Sequence, residues 1–157
     1  MSKSLKRVRA TLEAAGVTPD IRETALARTA VDAATALGCD VDQIAKSIVL
    51  RGENSGEALL FITAGAQQVD LARAAALAGE PLGKADAALI RAQTGFAIGG
   101  VAPLGHLTPP RAWFDRSLLK FPLVWAAAGT PHHVFCLGPQ EMAQLSNAQV
   151  SDFVVKN

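Results

Sequence analysis

Charge, cysteine and long apolar runs are all scarce in this chain, and each scarcity excludes something. Only 18% of its 157 residues are charged, and the formal net charge is +1. Proteins that hold nucleic acid through backbone charge alone carry a strong basic excess, so that mode is excluded, while a grip on the tip of a nucleic acid is not. No apolar run approaches the ~20 residues that span a bilayer, so no membrane partner is expected. The two cysteines, Cys39 and Cys136, lie far apart in the chain and form no metal or redox spacing motif, which reads as two reduced thiols. The opening Met-Ser-Lys-Ser-Leu-Lys-Arg lacks the apolar core of a secretory signal, and the expected compartment is the cytoplasm. His106, His132 and His133 are the only histidines; the last two are adjacent, so on a strand they face opposite ways and do not easily chelate one metal. No metal and no cofactor is expected.

What is present is a chain that is 50% hydrophobic. A single domain over residues 1–157 of this size buries about two-thirds of its unfolded surface and needs no disulfide or metal staple. Leu5, Val8, Leu12 and Ala15 predict an amphipathic helix over residues 4–15, stopped by Gly16. Lys3, Lys6, Arg7 and Arg9 make it locally basic, which reads as a solvated face rather than an RNA contact. A short strand follows at Ile21–Thr24. Thr29 and Gly38 bracket a helix over Ala30–Leu37, and Asp70 and Gly79 bracket another over Leu71–Ala78. Ile44–Leu50 and Ala58–Thr63 read as an antiparallel pair, and a further helix covers Ala85–Gln93. Strands are expected at Arg111–Asp115, Leu123–Ala127 and His133–Leu137, with a turn at Gly129–Pro131 between the last two. A final helix over Gln140–Leu145 and a closing strand over Val150–Val155 complete the order. The pattern lacks regular strand–helix alternation, so the expected class is α+β, with a mixed, largely antiparallel, barrel-like sheet surrounded by short helices.

Two features carry candidate chemistry. The first is Gly95-Phe-Ala-Ile-Gly-Gly-Val-Ala-Pro-Leu-Gly-His106, with four glycines, one proline and no charge before His106. Such a stretch is either a tight turn or a stiffened loop that offers backbone amides to a ligand. The second is Lys46, which strand alternation places on a face shared with Ile44, Ile48 and Leu50. Either it snorkels to water at the strand end, or it supplies a charge to a site. A lysine beside a loop of amides suits an anionic or ester substrate. Gly79–Ala85 is no P-loop, because its spacing is one residue short and the hydroxyl residue after Lys84 is missing. No serine sits in a nucleophile-elbow context, so hydrolysis would use a positioned water or a group on the substrate.

Ile44-Ala-Lys46-Ser-Ile-Val, the run Gly99-Gly-Val-Ala-Pro-Leu-Gly105 and Ala126-Ala-Ala-Gly129 together resemble the YbaK/ProX family, free-standing relatives of the editing domain inserted in bacterial prolyl-tRNA synthetases. The resemblance runs over nearly the whole chain. It implies hydrolysis of the ester joining a wrong amino acid to tRNA, with tRNA(Pro) the expected tRNA, its acceptor end the partner and prolyl-tRNA synthetase a second one. It implies that Lys46 engages the 3′-terminal nucleotide. Gly100 through Gly105 match the glycine–proline loop that meets the ester: Gly100 and Gly105 in the catalytic set, with Gly99, Val101, Ala102, Pro103 and Leu104 lining it. Ala127, Ala128 and Gly129 match a pocket wall where many cysteine-specific members carry Ser-x-Gly. Alanine at 127 suits a small or apolar residue such as alanine or 2-aminobutyrate. The chain has no tyrosine, so any pocket tyrosine of the family is missing here. The rival readings are a non-catalytic module that binds a nucleotide or an aminoacyl-tRNA end, and a small-molecule esterase.

Overall fold

The computed structural model describes residues 2–25 and 29–156. Helix α1 (Lys3–Ala14) starts where the Ser2 hydroxyl accepts from the Leu5 N–H, and its Leu5, Val8 and Leu12 face inward. After β1 (Ile21–Glu23), α2 (Ala30–Leu37) runs from the Thr29 cap to left-handed Gly38. A 3-10 turn at Val41–Gln43 leads into β2 (Ala45–Gly52) and its antiparallel partner β3 (Ala58–Ala64). Helix α3 (Leu71–Ala78), strand β4 (Leu82–Lys84) and helix α4 (Ala87–Thr94) precede the glycine loop. Then come β5 (Ala112–Asp115), a 3-10 turn (Arg116–Lys120), β6 (Val124–Thr130), β7 (His133–Leu137), α5 (Pro139–Leu145) and β8 (Ala148–Ser151).

The strands make two sheets, in the orders β1-β7-β6 and β4-β2-β3-β5-β8. Pairings are antiparallel except β3–β5 and β5–β8. A parallel bridge between Ile44 and Trp125 joins the two sheets. The expected α+β class and mixed, largely antiparallel character hold, but the sheets do not close into a barrel. All seven residues of β3 are buried, because both faces of its sheet are covered. On one face Leu60 and Ile62 join the α1 residues, Phe114 and Phe135. On the other, Leu59, Phe61, Trp113 and Phe153 pack together, with the Phe61 and Trp113 rings stacked 4.9 Å apart.

Three local expectations shift. Gly129 and Thr130 belong to β6, so the hairpin turn is Pro131–His132. The closing strand starts earlier, at Ala148, and Val154 forms a separate bridge with Val69. Strand β4 pairs with the tail of β2 where no strand was expected. Both cysteines, distant in sequence, pack against one cluster made by Ala33, Ala34, Ile44 and Trp125.

Candidate functional site

A cavity of about 740 Å³ opens between α2, the start of β2, the β6–β7 hairpin and the first part of the glycine loop. Its position follows from the fold. The Ile44–Trp125 bridge brings the two sheets edge to edge, and α2 covers the seam with alanines small enough to lie close.

Lys46 stands at one wall. Its Nζ donates to the Gly65 carbonyl at 3.0 Å and to the Gln67 carbonyl at 2.6 Å. Those carbonyls are aimed by the turn after β3, where the Gln67 N–H closes on Ala64 and the Ala66 N–H is held by Asp42. At Gly65 any Cβ would strike the Val41 carbonyl, so only glycine admits this turn. Burial pulls the Lys46 ammonium below its ordinary 10.5, while the Asp42 and Asp115 carboxylates oppose that shift. Asp115 is itself fixed by the N–H groups of Ala64 and Ser117 and by the Ser117 hydroxyl. Lys46 therefore does not merely snorkel to water. Two of its three donors are spent on carbonyls, which leaves one for a ligand.

Of the other expected site residues, Gly99, Val101 and Ala127 line the same cavity. Among the described residues no protein acceptor pairs with the N–H of Gly99 or Val101. The Gly100 N–H, by contrast, closes a turn on the Ala97 carbonyl at 3.0 Å. A Cβ on Gly100 would stand 2.9 Å from Thr130 Cα, so glycine here permits loop and strand backbones to touch. Ala102, Pro103 and Leu104 are buried away from the cavity, and the Gly105 carbonyl accepts from Arg7 of α1 at 2.6 Å. Ala128 is buried in the core. Gly129, at φ 99°, brings β6 against the first turn of α1, where a Cβ would lie 2.8 Å from the Ser4 carbonyl.

The cavity also has lining that was not expected from the sequence: Thr29 to Val31, Ser47, Ile98, Trp125, Thr130 and His133. Thr130 Oγ1 and His133 Nδ1 are 2.7 Å apart. The Thr130 hydroxyl also accepts from the His132 N–H. His133 Nε2 lies 3.9 Å from Glu23, its cross-strand partner. His132 lies in the hairpin turn, so His133 alone of the two is on a strand, and its register opposite Thr130, which no local pattern marks, sets it at the cavity. Ser47 Oγ is buried without a hydrogen-bond partner among the described residues. Within those residues no group of three or more His, Cys, Asp or Glu side chains could hold a metal ion. No described helix is long and apolar enough to cross a membrane.

Residues 24–145 match the family model described as the aminoacyl-tRNA editing domain. The chain belongs to that family. A curated relative, the uncharacterized protein YwhH of Bacillus subtilis (strain 168), is 31% identical over 122 residues, which is 78% of this chain and 77% of that protein. Among solved structures, one described as a "putative trans-editing enzyme for prolyl tRNA synthetase" superposes with a TM-score of 0.91 at 44% identity, covering 99% of each chain. Another, the hypothetical protein APE2540, gives a TM-score of 0.87 at 25% identity over 95% of this chain and 99% of its own. The family segment of this editing domain contains the whole cavity lining, and it begins after α1.

Proposed function

We propose that this editing domain is a trans-acting aminoacyl-tRNA deacylase that removes a small wrong amino acid from tRNA, with tRNA(Pro) the expected tRNA. The supporting observation is the placement of one ammonium, Lys46, against an uncharged wall of Gly99, Val101 and Ala127 in one cavity. The remaining donor of Lys46 would hold an oxygen of the 3′-terminal nucleotide. The amides of Gly99 and Val101 would face the ester carbonyl and stabilise the oxyanion as water adds. Collapse of that intermediate breaks the acyl–oxygen bond. It yields the free amino acid and the tRNA 3′-terminal hydroxyl, with the proton passing from water to the leaving oxygen. Gly100 contributes contact rather than a donor on this reading, and Gly105 contributes the anchorage of the loop. The acceptor end of tRNA is the partner, prolyl-tRNA synthetase a candidate second one, and the cytoplasm the expected site of action.

Ala127 would set the size limit. Its methyl is half-exposed to the cavity between the buried Ala126 and Ala128. A panel of tRNAs charged with alanine, 2-aminobutyrate, serine, cysteine and proline tests the proposal. Release of a small residue but not proline supports it; tight binding without turnover on any member replaces it with a non-catalytic binding module. In the same panel Ala127→Val should lower alanine release about tenfold, since one or two methyl groups move such discrimination by about 1–3 kcal/mol.

A further inference from the structure

We infer that Arg7 is a positioning residue: from α1, outside the segment that the family model matches, it holds the glycine loop in the geometry the cavity needs. Only the kinetic half of the test below rests on the deacylase reading.

The loop is pinched at its neck, where the Leu107 N–H bonds the Thr94 carbonyl at 3.1 Å and the Thr108 N–H bonds the Gln93 carbonyl at 2.9 Å. Beyond the neck α1 grips both ends. Arg7 Nε donates to the Gly105 carbonyl at 2.6 Å and Nη2 reaches the Thr94 carbonyl at 3.4 Å. The Ser4 hydroxyl donates to the Gly95 carbonyl at 3.4 Å. The guanidinium also lies 4.7 Å from the Phe96 ring centre, which suits its flat, weakly hydrated face. Phe96 meets His106 edge-on at 5.2 Å, and His106 Nε2 bonds the Ala102 carbonyl at 2.6 Å. One side chain thus touches both ends of the loop and, through two rings, its middle.

The glycines at those ends are consistent with this grip. A Cβ on Gly95 would stand 2.5 Å from Arg7 Nη2, and one on Gly105 would stand 3.3 Å from Thr11 Oγ1. On the far side Gly129 seats β6 on the backbone of Ser4 and Leu5, and Gly100 seats the loop on Thr130. Helix, strand and loop therefore stack backbone against backbone. Gly99 and Val101 keep their places at the cavity only while the ends of the loop are fixed. Lys3 and Lys6 stay exposed as a solvated face would, whereas Arg7 is turned inward.

The test is amide hydrogen exchange on the full chain with Arg7→Gln and Arg7→Lys, beside steady-state deacylation of mischarged tRNA. In Arg7→Gln, peptides covering residues 95–106 should exchange about tenfold faster while those of β2 and β3 are unchanged, the pattern of a local opening. The kcat should fall about tenfold with KM within about twofold, because misplaced groups lose transition-state contacts more than binding. Arg7→Lys, which keeps the charge and can reach one carbonyl, should return both readings to within about threefold of wild type. Unchanged loop exchange, uniform acceleration across the molecule, or a rise in KM alone would overturn the inference. Should Arg7→Gln fail to fold, Arg7→Met, which keeps the apolar stem, is read the same way: faster exchange confined to the loop supports the grip, and no change overturns it. A wild-type protein inactive on every tRNA would end the deacylase reading, and the exchange pattern would then decide on Arg7 by itself.

Discussion

Both halves of the glycine loop mix glycine with apolar residues, and they do different work. Ile98, Gly99 and Val101 line the cavity; Ile98 is 61% exposed, and the amides of Gly99 and Val101 have no protein acceptor among the described residues. Residues 102–106 turn to the core: Leu104 is 3% exposed in the cluster that holds Leu5, Val8 and Leu12, and the Gly105 carbonyl is tied to Arg7. Gly100 is the pivot, seated on Thr130. An uncharged, glycine-rich run is therefore not a uniform binding surface. One half lines the cavity and the other ties the loop to the core, and a precise site needs both.

Substitutions on the two sides should separate these roles. The largest effect is expected at Leu104→Ala, which empties a buried site and should lower unfolding free energy by about 3 kcal/mol in urea or thermal melts. If instead it left stability intact, the second half would not be an anchor. Ile98→Ala should do the opposite. Stability should stay within ~0.5 kcal/mol, while KM for a tRNA substrate rises several-fold through about 1 kcal/mol of lost apolar contact. The smallest effect is a pH dependence at His106. Burial, assisted by the nearby Arg7 charge and opposed by the Ala102 hydrogen bond, holds its imidazole below the ordinary 6.5. The unfolded chain takes up that proton first as pH falls. The contribution of neutral His106 is therefore complete above about pH 6.5 and is lost as pH drops from there toward the lower folded value. His106→Gln, which keeps a donor for Ala102, should flatten the acid side of a stability-versus-pH curve. An unchanged slope would mean that other groups set it.

Much of this was legible in the residues. Helices α2 and α3 have the expected bounds, because Thr29 with Gly38, and Asp70 with Gly79, supply a cap at one end and a left-handed stop at the other. Of the residues that alternation set on one face with Lys46, Ile48 and Leu50 pack on the Phe61 cluster, whereas Ile44 precedes β2 and packs with Trp125. What the chain did not disclose depends on distance. Strand β4 is three residues long, too short to show a period, and exists through its pairing with β2. The Arg7 bond to Gly105 spans 98 positions, and nothing local marks Arg7 apart from Lys3 or Lys6. The sequence marks His133 only as one of an adjacent pair that does not easily chelate one metal. Its place at the cavity depends on the register of β6 with β7, which pairs it with Thr130. That the sheets do not close into a barrel was illegible for a related reason: mixed strand order does not reveal that, among the described residues, they meet through one bridge, Ile44 with Trp125.

On the proposed function, the half-buried Lys46 ammonium beside the uncharged loop makes this cavity a deacylation site. The most direct measurement is release of alanine from mischarged tRNA(Pro) by the wild type and by Lys46→Met, which keeps the apolar stem and removes the charge. Stripping the partner from the Gly65 and Gln67 carbonyls should cost about 1–3 kcal/mol, so folding is checked by melting in the same preparation. A folded Lys46→Met variant should turn over at least about 100-fold more slowly, the scale of losing the contact that orients the 3′-terminal nucleotide against the loop. A folded variant that releases alanine at the wild-type rate would contradict it.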